Sequence, residues 1–296
     1  MKTTGVTLCF PGGEKSCFAC CPPIRPAGYE HILYRTAVRR ILRENNEAFK
    51  KDTEGISPIT GFSCWALGYI DENHRLVGCL LHPAQNRGVD LRFKIDYGEK
   101  CQREICPEAK TFSGLGLKEK KFWLQLADGL DSFSYSSRKF NPLFKIMDWG
   151  GDLLSQIASI EDYRVFTRES FFQSYPFFST INRPKANAYL VKWLLSREDI
   201  QILKSKTFTV EFEKFSGRIS IRLSGVVPRA SEGSHAHLLD FDRDFLDFLR
   251  LSARIIKIKM EDAVVLKKMV DDELEKFRQS IPKTGRNGKR NHKPYK

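Results

Sequence analysis

The chain has no apolar run approaching the roughly 18 residues a helix needs to cross a bilayer, so no membrane span is expected. The start, Met1 to Gly13, carries Lys2 but lacks the apolar core of a secretory signal, and the expected location is the cytoplasm. The short motifs of hydrolases and nucleotide enzymes are also missing. There is no G-x-S-x-G, Walker A loop, H-E-x-x-H pair or G-x-G-x-x-G, and Gly114-Leu115-Gly116 is too short to stand for one. No internal repeat is present. Cysteine stops at Cys106, so whatever thiol chemistry the protein has belongs to its first third.

With 296 residues and 41% hydrophobic content, the chain can bury a sizeable core, most simply as two domains. Charged residues at 29% argue against a wholly disordered chain. The net charge is +13, of which Lys283, Arg286, Lys289, Arg290, Lys293 and Lys296 supply six, leaving 13 − 6 = +7 on the rest. A basic tail after a helix reads as a solvated, disordered end. The alternative is a weak, salt-dependent contact with nucleic acid or an anionic surface.

All eight cysteines precede residue 107, and Cys17, Cys20 and Cys21 crowd into one short stretch. In a reducing compartment, clustered cysteine points to metal or redox chemistry more than to disulfides. Thiolates are soft ligands suited to zinc, copper(I) or iron–sulfur. Cys17 and Cys20 have the two-residue separation that lets a turn aim both sulfurs at one ion, and Cys101 and Cys106 have a workable separation of four. Adjacent Cys20 and Cys21 cannot easily reach one small ion together, but can reach different atoms of a cluster or two ions. More than four candidates without two tidy C-x-x-C pairs leans toward a cluster. The competing reading is that some are buried thiols packing as small hydrophobes, most credibly Cys9, and Cys64 beside Trp65.

Residues 1–26, with Pro11, Pro22, Pro23 and Pro26, read as irregular loop that metal–thiolate bonds would tether. Leu33, Tyr34, Ala37, Val38, Ile41 and Leu42 predict an amphipathic helix over about Gly28 to Lys50. Cys64 to His82 reads as a hairpin turning at Glu72-Asn73. That register sets Ala66 opposite Cys79 and Cys64 opposite Leu81, with Cys64 and Cys79 diagonal on one face. Helices are expected over Lys118–Leu130, over Pro142–Ile160 with a break at Gly150-Gly151, and over Pro184–Leu195. A short one should follow a capping box opening at Ser196, and two more should lie within Asp240–Ser280. Thr207 to Leu223 alternates as Phe208, Val210, Phe212, then Ile219, Ile221, Leu223 around Ser216-Gly217, which predicts a second hairpin.

The cysteine segments resemble a cysteine-rich zinc- or iron-chelating family with the signature C-x-x-C-x-x-C-C, then C-x-x-L, an acidic turn and C-x-[IV]-[HY]. Here these are Glu14 through Cys17, Cys20 and Cys21, then Cys64-Trp65-Ala66-Leu67, Asp71-Glu72-Asn73, and Cys79-Leu80-Leu81-His82. The likeness covers residues 14–112. It departs at the first signature cysteine, which is Glu14, so that Cys9 or Glu14 would substitute. A later Arg-Pro…Cys-Arg block is only approximated by Lys100-Cys101-Gln102-Arg103 and Cys106. The resemblance implies metal binding and puts forward Cys17, Cys20, Cys21, Cys64, Cys79, Cys101 and Cys106 as ligands. His82, three residues past Cys79, is a further ligand candidate, although a histidine at a strand end is more often surface. His235 and His237 read as exposed loop residues. The aromatic run Tyr163, Phe166, Phe171, Phe172, Tyr175, Phe177 and Phe178, with Arg164, Arg168, Arg183 and Lys185, reads as core before base-stacking.

The expected fold class is therefore α+β. A small cysteine-rich metal-binding module of one helix and a hairpin over 1–115 precedes a mainly helical domain with a β-hairpin over 116–282 and a disordered basic tail over 283–296. The expected function is metal binding, zinc or iron–sulfur, with the module structural or in metal handling. The alternatives are an enzyme using a cluster or thiol for redox or transfer chemistry, and a nucleic-acid binder with a structural metal.

Overall fold

A computed structural model describes residues 6–22, 26–49, 55–60, 63–103, 105–162, 166–226 and 233–281. The basic tail, Tyr163 and Arg164 lie outside the described residues. The chain separates into two units, Met1–Ser174 and Tyr175–Lys296. The division falls between Ser174 and Tyr175 and not near residue 115, so the cysteine segments share a unit with the helices that follow them. Both units are mostly helical, with small two-stranded sheets.

In the first unit an irregular N-terminal segment leads through a 3₁₀ turn, His31–Tyr34, into α1, Arg35–Ala48. The helix buries Val38 and Leu42, while Leu33 and Tyr34 stay exposed because the 3₁₀ turn rotates them off its apolar face. The expected hairpin forms from β1, Leu67–Tyr69, and β2, Val77–Cys79. Its register places Leu67, not Ala66, opposite Cys79. The turn is one residue longer than Glu72-Asn73 alone would make it. The Asp71 carboxylate accepts the amides of Arg75 at 2.9 Å and Leu76 at 2.6 Å, and His74 takes a left-handed φ of 55°. Such side-chain closure is an alternative to a two-residue turn. α1 binds the sheet edge through Asn46, whose amide accepts from Tyr69 N at 2.7 Å and donates to Tyr69 O at 2.8 Å. These elements enclose a core of Phe18, Val38, Leu42, Cys64, Ala66, Leu67, Tyr69, Val77, Leu81, Ile95 and Phe133.

Short helices complete the unit: α2, Gly98–Arg103; α3, Pro107–Gly114; α4, Leu117–Leu124; α5, Ser132–Tyr135; α6, Pro142–Met147; α7, Gly151–Ile160; and α8, Arg168–Ser174. Gly150, at φ 92°, makes the expected break between α6 and α7. Phe171 is buried edge-on against Trp123, with ring centroids 5.5 Å apart.

The second unit contains α9, Pro176–Thr180; α10, Pro184–Leu195; α11, Lys206–Val226; β3, Ser234–His235; α12, Arg243–Leu251; β4, Lys257–Ile258; and α13, Met260–Ser280. The turn ahead of α11, Ile200–Lys204, is capped by Asp199, which accepts from Gln201 N at 2.8 Å, and not by Ser196. α10 packs on α12 and α13, and α11 on α9 and α13. Thr207 to Leu223 is helix and not the expected hairpin. Phe208, Phe212, Phe215, Ile219 and Leu223 recur at three and four residues, and all are buried. Val210 and Ile221, which carried the alternation, are 47% and 75% exposed. Phe177 is buried among these rings, 5.2 Å from Phe212. The only sheet described in this unit pairs Ser234 with Ile258 and His235 with Lys257. His235 and His237 are exposed.

Candidate metal centre

Ser16 fixes the segment that carries Cys17. Its hydroxyl accepts from Val77 N at 2.8 Å and bonds to Val77 O at 2.8 Å, so the loop joins the edge of β2. Its amide donates to the Ser132 hydroxyl at 3.0 Å, and Phe18 N donates to Ser136 Oγ at 2.9 Å, which ties the same loop to α5. Cys17 N donates to Cys9 O at 2.8 Å, so the two cysteines are clamped side by side in the backbone. His31 Nε2 bonds to the Cys21 carbonyl. These contacts do for residues 9–21 what regular secondary structure does elsewhere.

The other cysteines come from four places. Cys64 opens a turn whose carbonyl accepts Leu67 N at 3.0 Å and Asn45 Nδ2 from α1 at 3.0 Å. Cys79 ends β2. Cys101 lies on α2, where its carbonyl accepts Arg92 Nη1 at 2.6 Å. Cys106 caps α3, its sulfur accepting Ala109 N at 3.4 Å.

All eight thiols line a single cavity of about 240 Å³. It brings together Cys17, Cys20, Cys21, Cys64, Cys79, Cys101 and Cys106 and adds Cys9. Its wall also carries His82, Arg92, Lys100 and Arg138. Glu14 lies elsewhere, paired with Arg75. Of the two substitutes weighed for the missing signature cysteine, Cys9 is the one beside the other thiols. None of the eight is in a disulfide among the described residues. Nor, among the described residues, do any three thiol, imidazole or carboxylate groups stand close enough to hold one ion as placed.

Burial controls the electrostatics. It pushes the Cys9 and Cys79 thiols up to about 11 and those of Cys64 and Cys106 up to about 12. Cys17 is raised well above its ordinary value by burial, and Cys21 by a hydrogen bond with Cys20 and then by burial. The thiols also raise one another, as like charges do at short range. Backbone amides work in the opposite direction. The Ala19 amide lowers Cys17, the Ala66 amide Cys64 and the Leu81 amide Cys79, each from two residues further along. Amides so placed are ready to stabilise thiolate charge.

Two guanidiniums sit at the wall. Arg92 is held by Asp90, with Nη2 2.7 Å from Oδ2 and Nε 2.9 Å from Oδ1. Arg138 is held by Glu108, whose side chain is 1% exposed. Burial opposes ionisation of Glu108, but the Arg138 pair and its backbone bonds outweigh this and keep its carboxyl below the usual range. His82 Nδ1 accepts Ala84 N at 3.1 Å, and burial together with Arg92 lowers its pKa, favouring the neutral imidazole.

Comparison with family models, curated proteins and solved structures gives no match. No described helix is long and apolar enough to cross a membrane.

Proposed function

We propose that the first unit is a metal–thiolate protein whose cysteines hold an iron–sulfur centre, with a structural role for that centre. One observation carries this reading: eight cysteines dispersed from position 9 to position 106 face one cavity. Thiols serving as small hydrophobes would be expected to fill space, because protein interiors are close-packed. Here Cys64 packs in the core and Cys21 and Cys79 lie against it, yet all eight cysteines also border one void. Its volume equals that of about eight water molecules, at about 30 Å³ each, which exceeds what a lone ion needs. Thiols spread around a void suit a polyatomic cluster better than a single tetrahedral zinc, whose four sulfurs would converge at about 2.3 Å.

The charges agree. A thiolate centre with net negative charge favours cationic neighbours, and Arg92, Lys100 and Arg138 line the wall. The Ala109 amide supplies a hydrogen bond to the Cys106 sulfur, and the amides of Ala19, Ala66 and Leu81 favour thiolate at Cys17, Cys64 and Cys79, one of the levers by which proteins tune such centres. A centre here would join the irregular N-terminal segment, the hairpin, α2 and α3, which offer little continuous secondary structure of their own.

The test is anaerobic purification followed by the visible spectrum and by iron, zinc and acid-labile sulfide per chain. Colour with iron and sulfide in comparable amounts is the expected result. Colourless protein with stoichiometric zinc would replace the cluster by zinc, and metal-free protein with all thiols freely alkylated in the folded state would refute metal binding.

A further inference from the structure

We propose that the first unit carries a second site, a cleft that binds a phosphorylated small molecule, with Arg39 as its main contact to the phosphoryl group. This is independent of the metal–thiolate reading and concerns another part of the unit.

The cleft has a volume of about 550 Å³, which falls in the range of small-molecule sites. Three segments wall it: residues 11–15, the hairpin turn at His74-Arg75, and residues 128–133 leading into α5. Arg39 joins them from α1. The cleft shares no lining residue with the cysteine cavity. Its walls are tied to one another. The Ser132 hydroxyl donates to Arg75 O at 2.5 Å and accepts Ser16 N at 3.0 Å, and Lys15 Nζ donates to Ala127 O at 2.7 Å.

The charges on the wall point to an anion. Lys15, Arg39 and Arg75 face Glu14, Asp128 and Asp131 across it, so the lining alone is balanced. Each carboxylate, however, already has a base. Glu14 pairs with Arg75, Asp128 lies 3.8 Å from Lys15 Nζ, and Asp131 pairs with Arg35, which is not part of the lining. Arg39 is the cation left over. It is exposed, and among the described residues it meets no carboxylate. Its guanidinium lies over the Phe133 ring, 5.6 Å from the centroid, and Arg35 lies over the same ring at 5.2 Å. A guanidinium resting on an aromatic ring keeps its N–H fork for a ligand, and that fork matches phosphate geometry.

A single negative charge would be answered by Arg39 alone. A doubly charged phosphoryl group also draws on Arg75 and Lys15. Their partners Glu14 and Asp128 have side chains 74% and 76% exposed, and ion pairs so exposed contribute little and exchange readily. Gly12 and Gly13, at φ 94° and 72°, leave open space where a Cβ would stand, so a ligand can approach the main chain there.

The experiment is calorimetric titration of the full-length protein, as purified and at low ionic strength, with pyrophosphate, AMP and glucose 6-phosphate in turn. AMP or glucose 6-phosphate should bind saturably at one site. Arg39→Gln should weaken that binding about tenfold or more. Glu14→Gln should tighten it, because Arg75 is released toward the cleft. Arg40→Gln, which removes a neighbouring arginine paired with Glu44 outside the lining, should leave it unchanged. All three substitutions are at exposed positions, so the fold is kept. No saturable binding of any probe, or binding of pyrophosphate alone, would overturn the proposal. Equal weakening by Arg39→Gln and Arg40→Gln would overturn it too, by tracing the effect to general surface charge. None of these outcomes bears on the metal and sulfide content, so the metal reading stands or falls separately.

Discussion

Ser16 shows how one small side chain can position a cysteine loop. Its hydroxyl serves both polar groups of Val77, and its amide is taken by Ser132. Ser16→Ala leaves the buried Val77 amide without that acceptor. The expected cost is about 1–3 kcal/mol of stability in the first unit, measured by denaturant unfolding, with faster metal loss to a chelator. Glu108 is a second such residue. Glu108→Gln removes the ion pair with Arg138 while keeping the shape, and a loss of about 1–3 kcal/mol is expected by the same measurement. The thiols themselves set a pH dependence. In chelated, metal-free protein the folded-state values of about 11 for Cys9 and Cys79 and about 12 for Cys64 and Cys106 lie above the ordinary 9.0. The folded chain then holds more protons than the unfolded chain above pH 9, so stability should be fully present below that value and fall between pH 9 and 12. Thermal midpoints across that range check this, and a flat profile would contradict the burial of the thiols. Much of this was legible in the residues themselves: seven cysteines were singled out by spacing and resemblance, and all line the cavity. Cys9 was weighed only as a substitute for the missing signature cysteine, because seven residues separate it from Cys17 and no periodicity links them. The backbone bond between the two sets it beside the other thiols.

At the level of elements, α11 is the sharpest departure from expectation. Phe208, Phe212, Ile219 and Leu223 satisfy both a two-residue and a helical spacing, and Ser216-Gly217 reads as a turn between them. Phe215 decides between the two, since only a helix puts it on the buried face with the others. Gly217 gives a direct test. It lies inside the helix with nothing within 4 Å of an added Cβ. Gly217→Ala should therefore stabilise the protein by about 0.5–1 kcal/mol, whereas a hairpin turn needing glycine would be weakened. Urea unfolding distinguishes the two signs. The first hairpin was legible as an element but not in register. Asp71 closes the turn with its carboxylate, and that choice is made by side-chain hydrogen bonds that alternation does not encode. The break at Gly150 and the start of α10 at Pro184 were readable because glycine and proline restrict the backbone locally.

Across the whole molecule, the fold class was legible in outline and the boundary between units was not. The end of the cysteines and the rise in phenylalanine suggested a border near residue 115. Yet Ser132 and Ser136 bind the cysteine loop, and Arg138 lies on the cavity wall, so the thiol-bearing segments are inseparable from α5 and its neighbours. Such long-range contacts leave no compositional mark. The consequence is testable by proteolysis. Chelation should expose sites within Met1–Ser174 while the cysteine-free unit Tyr175–Lys296 keeps its resistance. Mass spectrometry of the fragments checks this, and equal digestion of both units would count against a centre confined to the first. The central claim is that cysteine sulfur binds metal in this protein. X-ray absorption at the iron and zinc edges of the anaerobically purified full-length chain tests it most directly. The expected result is a first coordination shell of sulfur, about four atoms per metal. A shell of oxygen and nitrogen, or no metal absorption at either edge, would contradict it.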